Sequence, residues 1–168
     1  MGSSRLITAL LLLSLVAWSS LPAQVETPVP ARDASLDAGA FGLGLFASPA
    51  GGIGLSFRHH LPGRLSYQIT GGVVKSSDHV SYSVGGEVQF TLVRAREHRI
   101  YAAGATGYYY SGPPEGNDME APWRLGLGIG GELAVGGGFT LMGDLLFTYF
   151  SDGSLYPFPA VGAFYYFD

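Results

Sequence analysis

The chain has 168 residues, of which 47% are hydrophobic and only 13% charged; it contains 26 glycines, 10 prolines and no cysteine, and its formal net charge is −4. Soluble domains carry roughly a quarter charged residues and about half this share of glycine, and disordered chains combine low hydrophobicity with high net charge, so the chain fits neither an ordinary soluble domain nor a disordered one. The lack of cysteine excludes a disulfide framework, a thiolate metal site and a thiol nucleophile, and Lys75 as the lone lysine leaves no basic face for nucleic acid.

Residues 1–23 have the pattern of a secretory signal. Arg5 precedes an apolar run over 6–16, which breaks at Trp18-Ser19-Ser20, and Leu21-Pro22-Ala23 offers a small residue for cleavage. The run is too short for a membrane-spanning helix, and no other segment has 18 uninterrupted apolar residues. Residues 24–39 contain prolines and acids without periodicity, so a flexible lead-in on the periplasmic side is expected there.

From residue 40 to 168 the chain alternates with a period of two, the signature of strands with unlike faces. In chain order, 40–47 sets Phe41, Leu43 and Leu45 against Gly42 and Gly44. Segment 53–61 sets Ile53, Leu55 and Phe57 against Gly54, Ser56, Arg58 and His60, and 65–75 sets Leu65, Tyr67 and Ile69 against Ser66, Gln68 and Thr70. Segment 80–94 carries Tyr82, Val84, Val88 and Phe90 on one face and Ser83, Gly85, Glu87 and Gln89 on the other. Segment 99–110 fits either parity; Tyr101, Ala103, Ala105 and Tyr109 are placed on the apolar face. The clearest case, 123–135, alternates Trp123, Leu125, Leu127, Ile129 and Leu133 with Arg124, Gly126, Gly128, Gly130 and Glu132. Segment 139–149 sets Phe139, Leu141, Leu145, Phe147 and Tyr149 against Met142 and Asp144, and 158–167 sets Val161, Tyr165 and Phe167 against Gly162, Phe164 and Tyr166.

Eight strands joined by short polar or glycine-rich links predict an all-β, eight-stranded antiparallel up-and-down barrel, an even number that closes without exposed edges. The less apolar face is mostly Gly, Ser, Thr and Ala, too small and neutral for a solvated exterior but suited to a narrow lumen. The opposite face is continuous Leu, Val, Ile, Phe and Tyr, as lipid requires, so the barrel is expected to be transmembrane. Two aromatic girdles follow: Phe41, Tyr67, Phe90, Tyr101, Phe139 and Phe167 at the periplasmic rim, and Tyr82, Tyr109, Trp123 and Tyr149 at the outer rim. The strand lengths separate them by roughly 20–25 Å.

In strand number, alternation, girdles and signal segment, residues 40–168 resemble the small eight-stranded outer-membrane proteins of Gram-negative bacteria: the OmpA membrane domain, OmpX and the opacity-type proteins. The resemblance implies a monomer at the cell surface, surrounded by outer-membrane lipids and lipopolysaccharide. It also implies that strand 161–167 addresses the outer-membrane insertion machinery.

Inward charges are the candidate functional residues. Arg58 and Glu132 are each three residues from a periplasmic strand end and should meet across the lumen, with Glu87 and Asp144 nearer the middle and Arg124 toward the outer rim. Unpaired charges in a narrow lumen are costly, so these groups are expected to form a network that plugs the barrel. Inward Phe164, Tyr166 and Tyr108 could add to the filling.

The expected role is therefore structural or surface interaction, without catalysis, metal or cofactor. Three alternatives are a minor channel gated by the lumen charges, a lipid-modifying outer-membrane enzyme using His79 and Ser81, and a soluble secreted ligand-binding barrel. His79-x-Ser81 is similar to the His-x-Ser pair of the lipid A deacylases, but by parity both side chains face the lumen. Gly126-x-Gly128-x-Gly130 precedes no helix and is not a nucleotide loop. The acidic loop with Glu115, Asp118 and Glu120 reads as an exposed polar loop.

Overall fold

A computed structural model describes residues 36–76, 78–113 and 116–167. The signal segment 1–23 and most of the lead-in lie outside the described residues, as do Glu115 and Asp168. The strands are β1 (Phe41–Ser48), β2 (Gly52–His60), β3 (Leu65–Ser76), β4 (His79–Arg94), β5 (His98–Gly112), β6 (Trp123–Gly136), β7 (Phe139–Phe150) and β8 (Leu155–Phe167). Each pairs antiparallel with its sequence neighbours, and β8 closes onto β1 to make an eight-stranded up-and-down barrel.

Register determines the geometry of closure. Followed from Phe41 through His59, Tyr67, Val88, Gly104, Leu127, Phe147 and Pro157, the partner chain returns to β1 at position 51, ten residues beyond its start. A shear of that size on eight strands tilts them by roughly 40° and leaves an interior that side chains can fill. Each residue then climbs about 2.5 Å along the axis, and each step to the next strand adds about 3 Å. We call the end bearing Phe41 and Phe167 the base, and the opposite end the rim.

The links sort by end. At the base, β2–β3, β4–β5 and β6–β7 join over 61–64, 95–97 and 137–138. The last of these is Gly-rich because Gly136, Gly137 and Gly138 all have positive φ, a region that residues with a Cβ rarely occupy. The rim carries the longest link, 113–122. Part of the lead-in is docked rather than free: Leu36 is buried, and Gly39 donates its amide to the His60 carbonyl.

Two irregularities interrupt the ladders, one at Leu92 in β4 and one at Val135 in β6. The first overturns the sequence-based parity of β5. Near the turn Val93 faces Ile100, and an unbroken register would set Leu92, which faces outward, opposite Tyr101. The bulge skips Leu92 and sets the inward Thr91 there instead. Tyr101, Ala103, Ala105 and Tyr109 are consequently buried in the lumen, and Tyr108 faces outward. A one-residue slip exchanges every side chain between faces, which is why a single bulge reassigns the whole strand.

β1 and β2 are the shortest strands, so the wall is lower there. Above them, residues 72–76 of β3 pair only with β4, and 155–160 of β8 pair only with β7. Tyr166 donates its amide to Gly138 on the β7 side, so the odd-numbered residues of β8 turn theirs toward β1. Pro157 and Pro159 fall at odd positions on this open stretch and present no donor, which blunts an edge that would otherwise invite another strand.

Candidate functional site

The lumen is occupied at two levels by different kinds of group. Nearest the base, Glu132 on β6 is a hub. Its Oε1 accepts from Arg58 Nη1 at 2.9 Å, Tyr166 Oη at 2.7 Å and Thr140 Oγ1 at 3.2 Å. Its Oε2 accepts from Arg99 Nη2 at 2.7 Å, with His60 Nε2 at 3.7 Å. Arg58 also donates from Nε to Gln68 Oε1 at 3.0 Å and lies 4.4 Å over the Phe164 ring. Arg99 donates to Ser66 Oγ and Gln89 Oε1, both at 2.6 Å, and lies 4.8 Å over the Tyr101 ring. His60 bonds Ser66 through Nδ1 and stacks on Tyr166. Arg58, Arg99 and His60 are all fully buried. Two guanidinium groups share one carboxylate and most of their other donors reach amides and hydroxyls, which makes buried charge tolerable, although Arg99 Nε has no partner.

Higher up, main chain enters the lumen. The β1–β2 turn folds inward, with Ala50 fully buried and Ser48 nearly so. Ser48 Oγ caps the turn by accepting from the amides of Ala50 at 3.2 Å and Gly51 at 2.9 Å. Tyr109 clasps it: its hydroxyl accepts from the Gly52 amide at 2.9 Å and donates to the Ser48 carbonyl. Ser83 Oγ accepts from the Ile53 amide at 2.9 Å and donates to its carbonyl at 3.0 Å. Arg124 Nη1 donates to the Pro49 carbonyl at 3.3 Å from between the rings of Tyr109 and Phe150. The opposite wall is bare. A Cβ on Gly107 would lie 2.6 Å from the Ala50 carbonyl, one on Gly126 2.8 Å from the Ala50 methyl, and one on Gly85 2.7 Å from the Gly52 nitrogen. These three lumen glycines form the socket into which the turn fits.

Of the five charged residues singled out in the sequence, the structure joins Arg58 and Glu132 directly. Glu87 reaches the hub through Gln89, whose Nε2 donates to Glu87 Oε1 at 2.6 Å, and Asp144 accepts from Tyr101 at 2.6 Å. Arg124 is separate, in the upper layer. Arg99, His60, Gln68, Gln89 and Tyr166 are hub members that the candidate set omitted. Arg99 lies directly opposite Glu132 in the β5–β6 register, but that pairing crosses the longest link and follows the bulge, so no local pattern announces it.

Phe41, Phe90, Phe139 and Phe167 are exposed around the base with Tyr67 half-buried, and Tyr82, Trp123 and Tyr149 are exposed near the rim. Tyr101 and Tyr109 do not belong to the girdles, because the bulge turns them inward. In their place Tyr110 stacks on Tyr82 at 4.8 Å and Tyr108 packs edge-on to Trp123 at 5.0 Å. Between these belts the exterior is apolar, with Leu127 71% and Leu55 64% exposed. At the rim, His79 Nε2 and Ser81 Oγ both bond Ser111 Oγ, at 3.0 and 2.9 Å, rather than each other.

An inverted protein, with charge inside, hydrocarbon outside and the backbone paired in a closed sheet, is built as a transmembrane β-barrel. The solved structures include a similar chain, the Yersinia pestis outer membrane protein Ail in a phospholipid bilayer nanodisc. It is 14% identical, with a TM-score of 0.44, over 76% of this chain and 97% of that one. No protein-family model matches the chain, and no curated protein matches it.

Proposed function

We propose that the protein is an outer-membrane barrel of a Gram-negative bacterium, exported by a cleaved signal segment and inserted with its base toward the periplasm. It serves a structural or surface-interaction role, as a non-conducting, non-catalytic monomer among outer-membrane lipids and lipopolysaccharide. The observation that carries this reading is that the Glu132 hub and the β1–β2 turn occupy the lumen at two heights. In this reading they plug it together, because an eight-stranded barrel is only just wide enough for side chains to fill. The apolar band between the aromatic belts supports the membrane setting, and the rim strands and 113–122 are then the parts offered to partners outside the cell.

Two measurements test the reading. The folded protein should fractionate with outer membranes, require detergent for extraction, and migrate differently on gels with and without heating. Recovery in the soluble fraction without detergent would refute the membrane setting. Purified protein in planar bilayers should give no unitary conductance; reproducible openings would favour a channel gated at the hub.

A further inference from the structure

Two lumen carboxylates lie above the hub without bonding either of its arginines. Glu87 on β4 and Asp144 on β7 are 2% and 6% exposed. By the barrel's register they sit within about 1 Å of the same height, roughly 11 Å above Phe41, and both enter the lumen from strands three apart around the barrel. The hub lies beneath them and the inward turn above. Gly130, directly opposite Asp144 in the ladder, leaves the space its carboxylate occupies; a Cβ there would strike it.

Each carboxylate has one oxygen engaged and one idle. Glu87 Oε1 takes the Gln89 amide and Asp144 Oδ1 the Tyr101 hydroxyl, while Glu87 Oε2 and Asp144 Oδ2 are buried without a hydrogen-bond partner. Idle charged oxygens in a dry interior cost several kcal/mol each unless something answers them. No arginine bonds either idle oxygen. Arg58 and Arg99 both bond Glu132, and Arg124 lies above the turn. His60, at the base, faces Glu132, Ser66 and Tyr166, and the phenols of Tyr101 and Tyr166 are donors to carboxylates. Among the described residues, with His60 left out, the lumen below the turn holds two arginines against three carboxylates, and the surplus negative charge falls on the Glu87–Asp144 pair.

We propose that Glu87 and Asp144 hold one monovalent cation of sodium size between them, with Glu87 Oε2 and Asp144 Oδ2 as its charged ligands. Hard oxygen donors select such an ion. Among the described residues no third carboxylate, imidazole or thiol joins the pair, so the ligand set is too small for a tight calcium or zinc site. One positive charge also balances the lumen, whereas a divalent ion would leave an excess beside Arg58. Enclosed between two plugs, the ion stabilises the folded barrel and carries no current.

The test compares urea unfolding of the full-length protein in micelles at pH 8 in sodium chloride and in N-methylglucamine chloride of equal ionic strength. Above the dissociation constant, each tenfold rise in sodium should lower the unfolding equilibrium constant by about tenfold. Glu87→Gln and Asp144→Asn should each abolish that dependence. Wild-type crystals soaked in thallium(I) should show an anomalous peak between the two side chains, which keeps the proposal testable even if the variants fail to fold. Equal stability in the two salts, a sodium response that survives in both variants, or no thallium peak would overturn it. Stabilisation on moving from pH 8 to pH 6 with no sodium response would assign the pair a shared proton and also overturn it.

Discussion

The two layers that fill the lumen are built from opposite materials. Near the base, side chains from β2, β5, β7 and β8 reach inward and meet Glu132 of β6, so the wall behind them can be ordinary strand. Near the rim, the plug is backbone, and backbone has no side chain to adjust its fit. It therefore needs a wall with no side chains, which Gly85, Gly107 and Gly126 supply. The hub depends on charge balance, the turn on empty space. A charge-balanced plug is most damaged by removing a partner, and a space-fitted plug by adding an atom.

Four substitutions separate these dependences. Glu132→Ala leaves Arg58 and Arg99 buried without their shared anion and should cost about 3–5 kcal/mol, read as a lower urea midpoint for the refolded barrel. Leu127→Arg acts on the outer face, near the middle of the apolar band, and should cost about 2–4 kcal/mol in lipid vesicles. Its effect should shrink in detergent micelles, which deform around a charge, whereas that of Glu132→Ala should not. Gly126→Val drives a branched side chain into Ala50 and should cost about 1–3 kcal/mol while pushing the turn out of its socket. Labelling of an Ala50→Cys reporter by a water-soluble maleimide should accelerate in that background; unchanged labelling would mean the wall yields instead. Tyr109→Phe removes the hydroxyl that holds both sides of the turn and should cost about 1–2 kcal/mol, with Gly52 amide exchange rising while the hub amides keep their protection.

The fold was largely legible in the chain because lipid and a narrow lumen impose unlike demands on alternate residues. Segments such as 123–135, where Leu and Ile alternate with Gly, satisfy only one architecture. Segment 99–110 was ambiguous for a related reason: tyrosines and alanines occur at both parities, and small or amphipathic side chains are acceptable on either face. Arg58 and Glu132 were recognisable as partners because each lies close to a strand end in a strand of clear parity. Arg99 was hidden by the bulge at Leu92, and the socket by the ambiguity of glycine, which reads the same whether it leaves a water pocket or receives a turn.

Local pattern alone determined that this protein is a strand-built barrel with a hydrocarbon exterior, since a period of two and the chemistry of each face are properties of neighbouring residues. Tertiary structure decided what fills the barrel. The ten-residue stagger sets which side chains share a height, one bulge turns β5 over, and the short β1–β2 turn bends inward only because three strands far away in sequence present glycine at that level. These are relations between residues brought together by closure, and no window along the chain contains both partners.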